Sequence, residues 1–383
     1  MEIKNFRKAA VRIKKAIKKK ERIILYGDAD LDGVASAIIL KETIKNLGGE
    51  VESVYFPNRE KEGYGLNDVV LKFLKKKAPA LLITLDLGIG NFKEMLTAKK
   101  MGFEVIIIDH HQVLDKLPQA SIIIDPKQPG DKFPFKEFAN TGIIYKFSQL
   151  LLKDEISPNL KKDFLGLTAL ATIADMMTET DENKVFIEQG LKVLERTFRP
   201  ALRVLWEKSR LNSVSNRQIA QNMIAVLNAG ETIDHLNESY LFLISATLKE
   251  AEESVGKLQE KHRLKKGKIK DITVEIENIV ERSTEPIIFI GNPDWNLILL
   301  GSVASRICDK YDKPTFIFKE GEKESPGTVR MPKGMNGVEA MNSCRSFLTT
   351  YGGHPLAAGF QVKNKNIEKF KECLINYFKK KGL

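Results

Sequence analysis

The stretch Gly27 to Gly33, GDADLDG, sets aspartates at 28, 30 and 32 and closes on glycine. Other acids stand in similarly suggestive places: Asp86 in TLDLG, Asp109 beside His110 and His111 in IIIDHHQ, and Asp175 in ATIADMM. Carboxylates and imidazoles hold divalent ions and move protons. Oxygen donors with one or two imidazoles suit Mn2+ or Mg2+ better than a structural zinc, which favours thiolates. So many acids converging on one place would repel one another unless cations neutralised them. Two divalent ions about 4 Å apart are one solution, and such a pair clamps the attacking and leaving oxygens of phosphoryl chemistry.

The elements that must position these residues follow from the hydrophobic pattern. D-x-D-x-D-G also opens an EF-hand loop, which follows a helix and needs a glutamate at its last ligand position. Here that position is Ile39, and the preceding RIILYG is a β-branched run that predicts a buried strand. The EF-hand is excluded. The helix VASAIILKETIKNLGG follows, so the aspartates lie at the carboxyl end of a strand, where open α/β sheets place their ligands. The strands RIILYGD, VESVYF, ALLITLD, EVIIID and SIIID alternate with helical segments, the rhythm of a doubly wound parallel sheet. Asp28, Asp86 and Asp109 recur at the same strand end.

Residues from about 140 to 265 read as helices, the last a charged connecting helix, and strands then return in PIIFIG, PTFIFKE, GTVRMP and AAGFQVK. The expected organisation is an α/β catalytic domain at 1–200, a helical connector at 201–270 and a smaller α/β domain at 271–383, with the active site in a cleft between the α/β parts. Lysine and arginine exceed acids by 61 to 50, a net charge of +11 that suits a polyanion such as nucleic acid. Cys308, Cys344 and Cys373 are scattered and not at zinc spacing, so they read as reduced thiols of a cytoplasmic protein. No apolar run reaches membrane-spanning length, and no signal region precedes the basic helix that carries Lys14, Lys15, Lys18, Lys19 and Lys20. A solvated face explains those lysines better than phosphate contact.

Each candidate also has a plain structural role open to it. Asp28 or Asp32 could cap the following helix, Asp175 could be solvated, and His110 could be a hydrogen-bonded core histidine. A shared structural explanation for all of them is much the weaker one. The set GDADLDG, TLDLG, IIIDHH and ATIAD resembles the four motifs of the DHH phosphoesterase superfamily, and GGHPLAAGF resembles the glycine-histidine motif of the DHHA1 domain. FPNREKEGYGLN, VLNAGE, GSVASRICDKYDKP and GTVRMP bring the resemblance closest to the RecJ-type single-strand-specific exonucleases, over nearly the whole chain.

That resemblance implies that Asp28, Asp30 and Asp86 bind one divalent ion and that Asp32, Asp86, His110 and Asp175 bind another, with Mn2+ or Mg2+ as cofactor. It further implies that His111 faces the scissile phosphate, that Asp109 orients an imidazole, and that Gly352, Gly353 and His354 approach substrate phosphate. Arg330 and Arg306 are implied as phosphate or ion-pair residues, and Arg59 as a grip on the 5′ phosphate. The implied activity is 5′-to-3′ exonuclease action on single-stranded DNA or RNA, with a replication or repair protein as partner and no membrane association. The alternatives are an oligoribonuclease or nucleotide phosphatase and, in another class, a non-catalytic replication or repair scaffold. Two departures stand out. Glu231 follows Asn228-Ala229-Gly230 where RecJ-type enzymes usually carry arginine, and the chain stops soon after the glycine-histidine motif, which implies a short form without an OB-fold.

Overall fold

The structure is a computed structural model of the chain and describes residues 2–381 apart from 60, 64, 114, 115, 210, 212–214, 282 and 283. The chain divides into two compact units, Met1–His262 and Arg263–Leu383.

In the first unit β1 (Ile23–Gly27), β2 (Ser53–Tyr55), β3 (Ala80–Leu85), β4 (Phe103–Ile108) and β5 (Ile122–Ile124) form a parallel sheet in the order β2-β1-β3-β4-β5. The runs IILYG, ALLITL and III are buried at every position, because helices cover both faces. Leu25, Ile83 and Ile106 point into one core with Ile38 and Phe147, whereas Tyr26, Leu82 and Ile107 point into the other with Val70 and Met95. Gly27 pairs with Leu85, Leu85 with Ile108, and Ile108 with Ile124. This register sets the next residue of each strand, Asp28, Asp86, Asp109 and Asp125, in a row along one edge. Strand order reverses between β1 and β3, so the middle of that row lies at the topological switch point.

The helices around the sheet are α1 (Phe6–Lys18), α2 (Leu31–Asn46), α3 (Asp68–Leu74) and α4 (Phe92–Lys100), followed by α5 (Asn140–Leu152), α6 (Pro158–Ala174) and α7 (Asp181–Leu194). On α1, Phe6, Ala9, Ile13 and Ala16 are buried, while Lys14, Lys15 and Lys18 are exposed. Next come α8 (Pro200–Lys208), the short α9 (Asn216–Ile219) and α10 (Ala225–Leu227), the hairpin β6 (Thr232–Ile233) and β7 (Leu236–Asn237), and α11 (Glu238–Leu243). Leu202, Leu205, Met223, Tyr240 and Phe242 from this segment enter the same core as Ile38 of α2. Residues 201–262 group with the first unit, and their apolar side chains pack in its core. The 33-residue α12 (Leu248–Val280) carries the chain into the second unit.

The second unit has a mixed sheet of β8 (Ile288–Asn292), β9 (Thr315–Lys319), β10 (Glu324–Arg330), β11 (Leu348–Gly353) and β12 (Ala357–Lys363), ordered β11-β12-β10-β9-β8. Only β8 and β9 run parallel among the described residues. The helices α13 (Leu297–Tyr311), α14 (Gly337–Ser343) and α15 (Ile367–Lys380) complete it, over a core rich in phenylalanine. Cys344 and Cys373 form a disulfide with Cα atoms 5.9 Å apart, and Cys308 is free and buried. This corrects the expectation of three reduced thiols: α14 and α15 pack side by side and bring together cysteines 29 residues apart. No helix among the described residues is long and apolar enough to cross a membrane.

Candidate metal centre

The three aspartates of GDADLDG occupy three different local positions. Asp28 follows β1 directly and is buried; Asp30 is the N-cap of α2, its Oδ1 accepting from the Gly33 N–H at 3.1 Å. Asp32 lies in the first turn of that helix. The closing glycine is required by packing, because a Cβ on Gly33 would stand 2.3 Å from the Asp28 carbonyl oxygen. The Asp32 carboxylate meets the N-terminus of α5, where Asn140 N–H donates to Oδ2 at 2.6 Å and Thr141 N–H to Oδ1 at 2.8 Å. The Thr141 hydroxyl also donates to Oδ1. A helix N-terminus stabilises a carboxylate through these N–H dipoles.

Asp86 ends β3 with φ of 64°, a left-handed conformation that a non-glycine residue holds only under constraint. Its N–H is fixed to the Ile108 carbonyl at 3.0 Å. Asp109, after β4, is a hub: Oδ1 accepts from His110 N–H at 2.8 Å and lies 2.7 Å from His111 Nδ1, while Oδ2 accepts from Ile89 N–H at 2.9 Å. His110 Nδ1 faces the Phe138 carbonyl at 2.7 Å. A carbonyl only accepts, so Nδ1 carries the proton and Nε2 presents its lone pair. That lone pair looks onto carboxylate oxygens, 3.0 Å from Asp86 Oδ1, 3.5 Å from Asp175 Oδ2 and 3.8 Å from Asp32 Oδ2. Asp175 is the C-cap of α6, where the helix dipole disfavours negative charge.

The ionisation of the cluster follows from this crowding. Burial pushes Asp86 well up, and the charges of Asp32, Asp30, Asp28 and Asp175 push it further. Burial raises Asp175 as well, aided by Asp32 and Asp30, and carries Asp32 to about 6 against its Thr141 hydrogen bond. Asp28 is raised by burial despite the nearby Arg59 guanidinium; on Asp30 burial is outweighed by Arg59 and the Gly33 N–H, which hold it low. Burial pulls His110 well below its ordinary value, so it is neutral. Burial pulls His111 down too, but the Asp109 charge and hydrogen bond carry it up to about 9.

Within the first unit the ligand atoms of Asp28, Asp30 and Asp86 lie within 4.8 Å of one another, as do those of Asp32, His110 and Asp175, and those of Asp86, Asp109 and His111. The donor set fits divalent ions of the Mn2+ or Mg2+ kind: oxygens with one neutral imidazole whose lone pair faces carboxylates, a pairing that a cation between them would relieve. Arg59 is held at this edge too. Its Nη2 is 2.6 Å from Asp28 Oδ2 and 2.8 Å from Asp30 Oδ2, and its Nε donates to Asp28 Oδ1 at 2.9 Å.

Sequence reasoning passed over Asp125 and Lys127. Asp125 ends β5 as the other acids end their strands, so the signal in SIIID was available. It is buried, its Oδ1 accepts from Lys127 N–H at 2.7 Å, and its Oδ2 has no hydrogen-bond partner among the described residues. The Lys127 ammonium is 3.4 Å from Glu137 and lowers the pKa of His110. Glu231 is paired: Lys261 Nζ of α12 lies 3.0 Å from it and 2.7 Å from Glu238.

In the second unit Gly352 and Gly353 end β11 and His354 closes the hairpin, its N–H donating to the Ala357 carbonyl at 2.8 Å. Gly353 has φ of 130°, and a Cβ there would stand 2.7 Å from Ala358 Cα, whereas a Cβ on Gly352 would meet open space. Arg330 is tied to Ser305 Oγ at 3.0 Å, Thr328 Oγ1 at 2.9 Å and the Val329 carbonyl at 2.8 Å. Arg306 is exposed on α13.

Residues 22–172 match the DHH family, N-terminal domain, and residues 284–380 match the DHHA1 domain. The chain thus carries a DHH-family domain followed by a DHHA1 domain. Its similarity is to RecJ proteins: it is 33% identical over 379 residues to the single-stranded-DNA-specific exonuclease RecJ of Bacillus subtilis, covering 97% of this chain and 48% of that protein. The Thermus thermophilus RecJ is 29% identical over 373 residues, covering 96% and 54%. The chain therefore spans about half the length of these two relatives. A solved structure of exonuclease RecJ bound to manganese superposes with a TM-score of 0.78 at 26% identity, covering 98% of this chain and 95% of that one.

Proposed function

We propose that this chain is a divalent-metal-dependent exonuclease that hydrolyses single-stranded DNA, working from the 5′ end. The observation that carries the reading is the pair of three-ligand groups at the sheet edge, Asp28–Asp30–Asp86 and Asp32–His110–Asp175, brought together where His110 Nε2 lies 3.0 Å from Asp86 Oδ1. Substrate and ion are supported by the relatives named single-stranded-DNA-specific exonucleases and by the manganese-bound RecJ. The net charge of +11 suits a polyanionic strand.

Asp28, Asp30 and Asp86 would hold one ion, and Asp32, Asp86, His110 and Asp175 the other. Such ions, when bound, acidify a water and neutralise the charge of a scissile phosphate. His110 keeps its Nε2 lone pair for ligation because Phe138 holds its Nδ1 proton. His111, charged at neutral pH through Asp109, offers a proton donor toward phosphate oxygens. His354, Gly352, Gly353 and Arg330 are proposed for strand binding, and Arg59 for the terminal phosphate; Arg306 remains a candidate on the same basis. A replication or repair protein partner and a cytoplasmic location belong to this proposal.

The test is Mn2+-dependent digestion of a 3′-labelled, 5′-phosphorylated DNA strand, with RNA of the same sequence and a dinucleotide in parallel. Asp86→Ala is the control. Processive loss of the DNA, abolished by the substitution, is expected. Cleavage confined to the dinucleotide or to RNA would move the protein to the oligonucleotide-clearing activity, and metal binding without turnover would favour a scaffold.

A further inference from the structure

Arg59 presents its guanidinium to the first ligand group from a half-exposed position in the loop between β2 and α3. It engages the carboxylate oxygens that a divalent ion would need: both oxygens of Asp28, at 2.9 and 2.6 Å, and Oδ2 of Asp30 at 2.8 Å. Asp28 Oδ1 also takes the Ala29 N–H at 2.7 Å and Asp30 Oδ1 the Gly33 N–H at 3.1 Å. Asp28 is 1% exposed, so without a cation it would be a buried charge lacking compensation. A planar fork with fixed donors matches two adjacent carboxylates well. A guanidinium and a doubly charged ion on the same carboxylates compete for lone pairs, and the two cations repel.

We propose that Arg59 is the resident counter-cation of Asp28 and Asp30 within the Asp28–Asp30–Asp86 group and that a divalent ion loads there in competition with it. This rests on the metal-centre reading above and adds a competition to it: two of the group's three acids already have a cation, and loading an ion loosens the arginine's hold on them. Residues toward either end of the loop are hydrogen-bonded. Asn58 on one side is anchored by its side chain to the Thr232 carbonyl at 3.1 Å and by its N–H to Glu62 at 3.0 Å. Asn67 on the other side donates to the Glu62 carbonyl at 2.9 Å.

The experiment is calorimetric and spin-resonance titration of Mn2+ into the full chain, comparing the native protein with Arg59→Gln and Arg59→Lys. Native protein is expected to bind two ions. In Arg59→Gln one of them should tighten by about tenfold, in the range ordinary for a coupling between two ligands of one site, with the other unchanged as an internal reference. Arg59→Lys, which keeps the charge without the fork, should fall between and serves if the glutamine variant does not fold. Two native sites whose affinities are equal or weaker in both variants would overturn the counter-cation while leaving the metal centre intact. Native protein that binds no Mn2+ would overturn both.

Discussion

Two clusters of charge are buried in the first unit, and they are built on opposite terms. In one, Arg199 lies between Asp163, at 2.5 Å, and Glu42, at 2.8 Å, and its Nη1 donates to the Leu243 carbonyl at 2.9 Å. It ties α2, α6 and the end of α11 together, with a cation at the centre of two anions. In the other, Asp28, Asp30, Asp32, Asp86 and Asp175 crowd one sheet edge, and Arg59 contacts the first two from the rim. The first cluster is complete as folded. The second has several of its acids pushed up and a histidine lone pair set against carboxylates, an arrangement that makes sense once cations enter.

The sharpest way to break the comparison is Asp86→Asn. Asparagine accepts the left-handed backbone at φ of 64° and removes one of the crowded charges. Strand digestion should fall by at least about 10³-fold, as when a member of a unit that acts together is lost. Chelator-treated protein should at the same time resist urea better than the native chain. A destabilised variant would mean that this cluster, like the other, is held together by its charges.

Arg199→Met inverts the expectation. It leaves Asp163 buried at 2% side-chain exposure without its cation, which should lower the unfolding free energy by about 3–5 kcal/mol. Digestion per folded molecule should be unchanged. A loss below about 1 kcal/mol would put this cluster among the weak surface pairs instead.

Asp125 lies between these extremes and adds a pH dependence. Burial, then the charge of Asp109, pushes it up to about 8. An acid raised on folding adds no penalty below its unfolded value of about 4, and the penalty grows as pH climbs toward the folded value. Asp125→Asn should therefore stabilise the chelated protein more at pH 8 than at pH 5, by at most about 4 kcal/mol. Equal gains at the two pH values would show that Asp125 is not the titrating group.

How much of this was legible depended on distance along the chain. The strand-end acids could be read because an apolar run and the residue closing it are contiguous, and the same rule reaches Asp125. The partners of Asp32 could not, since Asn140 and Thr141 lie 108 and 109 residues away and act through backbone N–H groups that carry no sequence signature. Arg59 was visible as an arginine in a motif-bearing loop, yet its contact with Asp28 and Asp30 joins residues 31 and 29 apart in the chain. The helices of 201–262 looked like a connector because amphipathic periodicity says that a face is buried but not against which core. The disulfide was hidden for a related reason: it is set by the packing of α14 on α15.

The triad Glu231–Lys261–Glu238 supplies the smallest effect and a scale for the others. It has the same composition as the Arg199 cluster, one cation between two acids, but its side chains are 46%, 28% and 23% exposed. Burial pulls Lys261 down, while its hydrogen bonds to Glu238 and Glu231 more than restore it. Solvent competes for every one of those bonds, so Lys261→Met should lower the unfolding free energy by less than about 1 kcal/mol, and added salt should shrink the loss further. The same variant also removes the cation paired with Glu231. Strand binding should weaken modestly and more at low salt than at high. A fall in stability matching that of Arg199→Met would mean that connectivity rather than burial sets the strength of these clusters. The contrast between a completed charge cluster and one built for incoming ions would then have to rest on the metal titrations alone.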